Sequence, residues 1–251
     1  MSTKEFSDNL SKYADPHNYD ETYKGYTADL EFIQAHLEGN PQPIIELACG
    51  TGRLAIPLAK QGHTVYGVDI DSGMLNFAQE KADAEELNVH LSVQDCTRLN
   101  LPIQSNFIYM TGNSFQHFLT NKSQDALFES VKQHLNQNGD LIFDTRNPIL
   151  SELMNSDVYE ELLVKNGEVF NVTNREVYNP LTQILACTST YSSSKTTYKD
   201  SIQLRYTYPL ELQRLLNQHG FEVVHLYGSW KKEPFAADSV SMVVHARLKL
   251  S

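Results

Sequence analysis

The stretch Ile44-Ile-Glu-Leu-Ala-Cys-Gly-Thr-Gly-Arg-Leu-Ala55 decides the fold of this 251-residue chain. Its first half is an apolar run of strand length, and Gly50-x-Gly52 follows where a helix pattern begins. Glycine at these positions allows a tight turn and lets a ligand approach the backbone without meeting a Cβ atom. The stretch therefore predicts a buried strand, a glycine loop and a helix whose amide groups face a bound ligand.

Two classes of ligand fit this loop. Gly50-x-Gly52-x-x-Ala55 also matches the dinucleotide fingerprint, and Asp69 stands near the position of the ribose acid in that pattern. Glu46 departs from it, because a dinucleotide enzyme normally keeps an apolar residue inside the first strand. Asp95 adds a further acid after the third predicted strand, where it can meet an adenine amino group. A nicotinamide-dependent oxidoreductase therefore remains the weaker alternative.

Strand and helix patterns alternate on both sides of the loop. Strands are predicted at 43–48, 63–68, 89–93, 106–111 and 141–144. Helices are predicted at 21–38, 53–61, 72–84 and 123–135, the first from apolar residues spaced three and four apart. This alternation predicts βαβ units, and right-handed crossovers then place helices on both faces of a parallel sheet. The fold class is therefore α/β.

The alternation is interrupted after Pro148. Three β patterns follow without helices, at 168–178, 183–191 and 196–206, and they predict an antiparallel meander. A helix at 209–219 and strands at 221–227 and 239–248 complete the main sheet. We interpret residues 150–207 as an inserted lid over the substrate site, because functional insertions concentrate at the carboxyl edge of such sheets. A plain extension of the core is the alternative.

Motifs spread over nearly the whole chain resemble those of the class I S-adenosylmethionine-dependent methyltransferases. They are Glu46-Leu-Ala-Cys-Gly-Thr-Gly52, Asp69-Ile-Asp-Ser-Gly-Met74, Asp95, Asn138-Gly-Asp-Leu-Ile-Phe-Asp144 and a late helix ending in His219-Gly-Phe221. The resemblance implies a Rossmann-like sheet of seven strands in the order 3-2-1-4-5-7-6, mostly parallel, with strand 7 antiparallel and the β meander inserted. It also implies a single methyltransferase domain over residues 1–251, with cap helices in residues 1–40.

The same resemblance implies S-adenosylmethionine as the cofactor. The glycines would border its methionine part, Asp69 its ribose, and the acid after the third strand its adenine. The cofactor-binding residues expected are Glu46, Gly50, Thr51, Gly52, Asp69, Ile70, Met74, Asp95, Cys96 and Thr111. Two residues have plainer alternatives, because Met74 fits a helix core and Asp71 an ordinary helix N-cap.

Substrate and catalytic residues are expected at the same edge of the sheet. His117, after the fourth strand, is the candidate base because the ordinary histidine pKa lies near neutrality; the alternative is a loop histidine that only orients its neighbours. Asn113 and Arg146 are expected to bind substrate. Tyr19 and Tyr23 are expected to line its entrance, since the amino-terminal segment resembles that of small-molecule N-methyltransferases acting on amines such as amino sugars or glycine derivatives. No metal ligand set is expected.

Composition narrows the substrate class and the location. The net charge of −11 argues against nucleic acid, because binding phosphate backbones requires clustered lysine and arginine. No segment approaches the roughly 18 apolar residues of a membrane span, the amino terminus has no signal pattern, and the three cysteines are scattered. We therefore expect a cytoplasmic monomer or homodimer.

The function expected is transfer of the S-adenosylmethionine methyl group to an amine or hydroxyl of a small molecule. A methyltransferase acting on RNA or protein is the first alternative. A nicotinamide-dependent oxidoreductase and a module that binds the cofactor without turnover are the weaker ones.

Overall fold

Within the residues that the structure describes, which are 9, 13, 15–154, 157–165 and 167–250, the computed structural model has seven α-helices and eleven strands. The helices are α1 (Pro16–Tyr23), α2 (Ala28–Leu37), α3 (Ala55–Lys60), α4 (Ser72–Ala84), α5 (Asn121–His134), α6 (Leu150–Leu153) and α7 (Pro209–Gln218). The strands are β1 (Pro43–Leu47), β2 (Thr64–Asp69), β3 (Val89–Val93), β4 (Ser105–Met110), β5 (Leu135–Arg146), β6 (Asp157–Lys165), β7 (Glu168–Asn179), β8 (Ile184–Ser192), β9 (Thr197–Arg205), β10 (Phe221–Tyr227) and β11 (Ser241–Leu248). None of these helices is both long and apolar enough to cross a membrane. The parts of the expected cap at 1–8, 10–12 and 14 lie outside the described residues.

Seven strands form the main sheet, in the order β10-β11-β5-β4-β1-β2-β3. The first five strands of the chain run parallel, while β11 is antiparallel to both β5 and β10. With β10 and β11 counted as the sixth and seventh strands, the order is 3-2-1-4-5-7-6, so the sequence prediction is confirmed. The carboxyl ends of the parallel strands share one edge, which is where such sheets open their ligand crevice.

Both faces of the main sheet are buried. Ile44 and Ile45 are neighbours in β1, point to opposite faces and are both fully buried. Ile45 belongs to a cluster with Phe128 of α5 and Phe143 of β5. Ile44 belongs to a second cluster, with Leu58 of α3. Helices on both faces explain why the strands are continuous apolar runs in the sequence.

The insertion between β5 and β10 is a second, antiparallel sheet in the order β6-β7-β8-β9. Its strands β7, β8 and β9 correspond to the three predicted β patterns. The prediction was incomplete because β6 was missed. This edge strand has exposed side chains throughout residues 157–164, so no alternation of buried and exposed positions marks it in the sequence.

Two other predicted boundaries were wrong. The single helix expected at 21–38 is two helices, because α1 begins at Pro16 behind the Asp15 N-cap and the chain turns before α2. The fifth strand, expected at 141–144, begins at Leu135 directly after α5. Asn138 therefore lies inside that strand rather than closing a helix, with φ +62°, a conformation that asparagine adopts more readily than most residues.

Arg205 provides a test of how firmly the inserted sheet is joined to the main one. At the end of β9, this buried side chain donates to Glu211 at 2.9 Å and to Asn121 at 2.6 Å. We expect Arg205→Ala to lower the free energy of unfolding by about 3 kcal/mol, because it leaves a partly buried carboxylate without its cation. Lys60→Ala breaks the exposed Lys60–Glu85 pair and should cost less than about 1 kcal/mol. Equal losses in urea unfolding would contradict a buried link between the sheets.

Candidate active site

The carboxylate of Asp69 ties the glycine loop after β1 to the turn after β2. Its Oδ2 accepts the backbone N–H of Gly50 at 2.8 Å, and its Oδ1 accepts that of Asp71 at 2.9 Å. Burial raises the pKa of the Asp69 carboxyl, and these N–H groups oppose the rise. Gly50 has φ +52° and open space where a Cβ atom would project. The loop therefore leaves room for a ligand beside its backbone.

A cavity opens beside this loop at the carboxyl edge of the sheet. Six of the predicted cofactor residues line it: Gly50, Asp69, Ile70, Met74, Asp95 and Cys96. The other lining residues are Tyr13, Tyr19, Ala48, Asp71, Gln94, Gly112, Ser114, His117 and Phe118. Carboxylates combined with the apolar side chains of Ile70, Met74 and Phe118 suit a ligand that carries both hydroxyl groups and a flat ring.

Two acids of this cavity also stabilise the local backbone. Asp71 is the N-cap of α4 and accepts the N–H groups of Gly73 and Met74, as its alternative interpretation predicted. Asp95 accepts the N–H of Thr97 at 2.9 Å. Each carboxylate retains lone pairs beyond those that these contacts use, so the caps leave acceptors for a ligand.

Four predicted cofactor residues are not among those that line the cavity: Glu46, Thr51, Gly52 and Thr111. Glu46 is buried and accepts the hydroxyl of Tyr109 at 3.0 Å, and burial raises its pKa to about 8. Thr51 donates to Asp20 of α1. A Cβ atom on Gly52 would lie 3.3 Å from a side chain of α4. These positions support the shape of the loop.

A larger cleft of about 640 Å³ adjoins the cavity, and Tyr13, Tyr19, Gly112 and His117 line both. The residues predicted for substrate and catalysis all border it: Tyr19, Tyr23, Asn113, Arg146 and His117. The inserted sheet supplies Leu163, Glu176, Cys187, Tyr191, Tyr198, Lys199, Asp200, Ile202 and Leu204. The cleft is thus enclosed by the amino-terminal segment, the loop after β4 and the inserted sheet.

His117 joins these three parts of the chain through hydrogen bonds. Asn9 Oδ1 accepts the backbone N–H of Gln203 on β9. This contact fixes the Asn9 amide so that its Nδ2 lies 3.2 Å from His117 Nδ1. Nδ1 therefore accepts, Nε2 carries the ring hydrogen, and Tyr13 Oη lies 3.2 Å from Nε2. Burial lowers the pKa of His117 to about 4, so the ring is neutral near pH 7. The sequence prediction did not include Tyr13 or Asn9. The position of Tyr13 close to Tyr19 was the one available indication for Tyr13, and no sequence pattern indicates Asn9.

The loop after β4 also contains two amide oxygens to which no described group donates. Asn113 Oδ1 and Gln116 Oε1 are buried without a partner among the described residues, and both residues line the cleft. Asn113 has φ +57°, and its N–H donates to Asp144 Oδ1 at 2.9 Å. Trp230 donates to the other oxygen of Asp144, and burial raises the pKa of this carboxyl to about 7. Asp144, the last residue of the fifth-strand motif, thus positions Asn113.

Comparison with known families shows what the first part of the main sheet is similar to. Residues 44–139 match the family model described as a methyltransferase domain. A putative methyltransferase of Geobacillus sp. (strain WCH70) is 30% identical over 126 residues, which are 49% of this chain and 51% of that protein. The chain therefore spans about half the length of this curated relative.

Solved structures share the fold over nearly the whole chain. A S-adenosylmethionine-dependent methyltransferase from Clostridium acetobutylicum has a TM-score of 0.80 and 18% identity, covering 93% of this chain and 97% of that one. CalS10 from Micromonospora echinaspora, an amino pentose methyltransferase with bound S-adenosylmethionine, has a TM-score of 0.72 and 13% identity, covering 94% and 97%. At 18% and 13% identity, these likenesses show that the chain shares the fold of these two methyltransferases.

Asp69 is the residue to change in a test of the cofactor cavity. Charge-assisted hydrogen bonds contribute roughly 1.5–3 kcal/mol each, so Asp69→Ala should weaken S-adenosylhomocysteine binding by at least about tenfold. Titration calorimetry measures this affinity, and cooperative thermal unfolding checks that the variant is folded. Asp83→Ala, on the outer part of α4, is the matched control and should bind like the wild type. Unchanged affinity in Asp69→Ala would place the cofactor elsewhere.

The buried His117 ring predicts a loss of stability in acid. The unfolded chain takes up a proton near the ordinary pKa of 6.5, whereas the folded chain resists it until about 4, so stability falls as the pH decreases through this window. His117→Gln removes this contribution. From pH 7 to 4.5, the wild type should lose roughly 2 kcal/mol more than the variant, measured by urea unfolding. Parallel losses in the two proteins would mean that the ring titrates freely.

Proposed function

We propose that this protein methylates an amine group of a small, polar molecule bound in the cleft, using S-adenosylmethionine held in the adjoining cavity. The sequence left amine and hydroxyl acceptors open, with RNA or protein as alternatives. Four features of the site support this proposal: the residues that line the cavity, the walls of the cleft, two amide oxygens without a donor among the described residues, and the state of His117.

The cavity residues fit the parts of the cofactor. The open turn at Gly50 would take the methionine part, Asp69 the ribose hydroxyls, and Asp95 with Cys96 the adenine. Met74, which is buried in α4 yet lines the cavity, would pack on the purine. The bound cofactor supplies an electrophilic methyl group on its sulfonium sulfur. The side chains at the junction of cavity and cleft must then align the acceptor with this group.

The walls of the cleft support a small acceptor rather than a polymer. Its charged residues are of mixed sign: Asp15, Glu176 and Asp200 against Arg146 and Lys199. RNA requires a continuous basic surface, and the net charge of −11 opposes one. The inserted sheet lines one side of the cleft, which supports a role as its lid. CalS10, which shares the fold, is itself an amino pentose methyltransferase.

The acceptors in the wall indicate a ligand that donates hydrogen bonds. Buried amide oxygens are normally satisfied, and Asn113 Oδ1 and Gln116 Oε1 have no partner among the described protein groups. Amino and hydroxyl groups of a ligand supply such donors. Tyr19 and Tyr23, with ring centroids 4.7 Å apart, add aromatic surface that attracts an amine in its ammonium form.

The state of His117 is the observation that carries the choice of an amine. A hydroxyl must lose its proton as its oxygen attacks, whereas a neutral amine attacks with its lone pair and loses the proton afterwards. His117 is the one histidine that lines the cleft within the described part of the chain, and Asn9 occupies its free lone pair. We therefore assign His117 an orienting role in place of the base expected from its position. Because its Nε2–H donates to Tyr13 Oη, the hydroxyl hydrogen of Tyr13 is free to be donated to a group in the cleft. Burial raises the pKa of Tyr13, so the hydroxyl keeps this hydrogen.

Acceptor screening tests this function. The protein with S-adenosylmethionine should methylate a member of a panel of amino sugars and small primary amines, detected as a methylated product by mass spectrometry. Matched compounds with a hydroxyl in place of the amine should not react. The value of kcat/KM should rise with pH as the amine acceptor loses its proton. Equal turnover of the hydroxyl analogues would contradict the amine assignment, and methylation of RNA or protein alone would contradict the small-molecule proposal.

Tyr198 tests the proposed lid separately. Its ring stacks on Tyr191 with centroids 4.6 Å apart, and both residues line the cleft but not the cavity. Tyr198→Ala should raise KM for the acceptor roughly tenfold, by loss of an aromatic contact, and leave S-adenosylhomocysteine affinity within a few-fold. Val177→Ala, on the opposite, exposed face of the inserted sheet, should change neither quantity. A large loss of cofactor affinity in Tyr198→Ala would assign this sheet to the cofactor site.

A further inference from the structure

Three potential metal ligands converge at the edge of the main sheet opposite to the active site. His36 lies in the last turn of α2, Asp140 at the middle of β5, and His245 on β11. One ligand atom from each residue lies within 4.8 Å of the others. Arg146, which borders the substrate cleft, follows Asp140 by six residues of extended strand, or about 20 Å. The cluster is therefore separate from the methyltransferase site.

One buried nitrogen of this cluster is paired with Asp140 but makes no well-aligned hydrogen bond within the described part of the chain. His245 is 8% exposed, and its Nε2 is buried without a hydrogen bond. This nitrogen lies 3.0 Å from Asp140 Oδ1, but outside the angular range of a hydrogen bond. A buried polar atom without a partner is costly, so a native structure normally satisfies it. An ion between the imidazole and the carboxylate would do so.

The spacing of the ligand atoms suits a transition-metal ion. His36 Nε2 lies 3.3 Å from Asp140 Oδ2, and His245 Nε2 lies 3.0 Å from Asp140 Oδ1. In a tetrahedral site with metal–ligand distances near 2.0–2.1 Å, neighbouring ligand atoms are about 3.3 Å apart. The two imidazoles approach different oxygens of Asp140, so one of them must shift for both to meet one ion beside a single oxygen. Two imidazoles and one carboxylate favour zinc or a similar divalent ion over magnesium, which prefers oxygen ligands. The partial exposure of His36 leaves a path for the ion and for a water ligand.

The surroundings hold the ligands in place and also oppose the cation. The ring of His36 stacks on that of Phe107, with centroids 5.0 Å apart, and the ring centroids of His225 and His245 are 5.7 Å apart. Arg247 donates to both oxygens of Asp140, at 2.8 and 3.1 Å. Hydrogen bonds of this kind commonly orient a metal-bound carboxylate. The positive charge of Arg247 nevertheless repels a divalent ion, so it should weaken binding.

We propose that His36, Asp140 and His245 bind a divalent ion of the zinc class, which joins α2 to strands β5 and β11. An ion that binds the folded chain but not the unfolded chain stabilises the fold. The stabilisation grows with the logarithm of one plus the ratio of ion concentration to dissociation constant. The site has no part in methyl transfer. Its occupation therefore changes stability and leaves cofactor affinity unchanged.

Zinc titration of the whole protein, after removal of bound metal with a chelator, tests the proposal. Calorimetry should show one saturable site with a dissociation constant in the micromolar range or tighter, and the melting temperature should rise with zinc. His36→Gln and His245→Gln should each weaken binding at least tenfold, while His90→Gln, an exposed histidine elsewhere, should not. Millimolar magnesium should not displace the zinc. Arg247→Gln should tighten binding by several-fold, because it removes the opposing charge.

Several results would overturn the proposal. They are the absence of a saturable zinc site, equal zinc affinity in the wild type, His36→Gln and His245→Gln, and displacement of the zinc by magnesium. Weaker zinc binding in Arg247→Gln would show that the arginine and the ion do not share Asp140. S-adenosylhomocysteine affinity serves as the check on folding, since it should be the same in all four variants. A variant that loses this affinity would place the cluster within the cofactor-binding unit and contradict its independence.

Discussion

The two backbone hydrogen bonds to the Asp69 carboxylate are the constraint on which the site depends. They fix the glycine loop after β1 against the turn after β2, at 2.8 and 2.9 Å. Since the two strands are parallel neighbours, these turns emerge side by side at one edge of the sheet. The open space at Gly50 and the N-cap of α4 at Asp71 then follow from the same arrangement. One carboxylate thus shapes the cavity and remains available to its ligand.

Much of the fold could be predicted from the sequence, because buried parallel strands are continuous apolar runs. The stretch Ile44–Leu47 is buried throughout, and β3, β10 and α4 begin and end where the sequence predicts. The cavity residues Asp69 and Asp95 were also predictable, since acids directly after buried strands must gather at the carboxyl edge. The edge strand β6 was not, because its exposed side chains carry no alternation.

The parts of the site that escaped prediction depend on contacts between distant segments. Asn9, Tyr13 and His117 meet through hydrogen bonds across about a hundred residues, and no spacing rule describes them. The same holds for His36, Asp140 and His245, which only the pairing of β5 with β11 and the packing of α2 bring together. For Glu46, the motif position predicts a ligand contact, and tertiary packing adds a partner that the sequence does not show, because its Oε2 accepts the Tyr109 hydroxyl. Local patterns predict elements, and tertiary packing decides which side chains face the ligand.

Thermal unfolding with added ligand tests the central claim most directly. The claim is that the cavity between Gly50, Asp69 and Asp95 binds S-adenosylmethionine rather than a dinucleotide. At 100 times its dissociation constant, S-adenosylhomocysteine should stabilise the folded protein by about 2.7 kcal/mol and raise its melting temperature. NAD at the same concentration should leave the melting temperature unchanged. An unchanged melting temperature with millimolar S-adenosylhomocysteine, or a rise with NAD alone, would contradict the account.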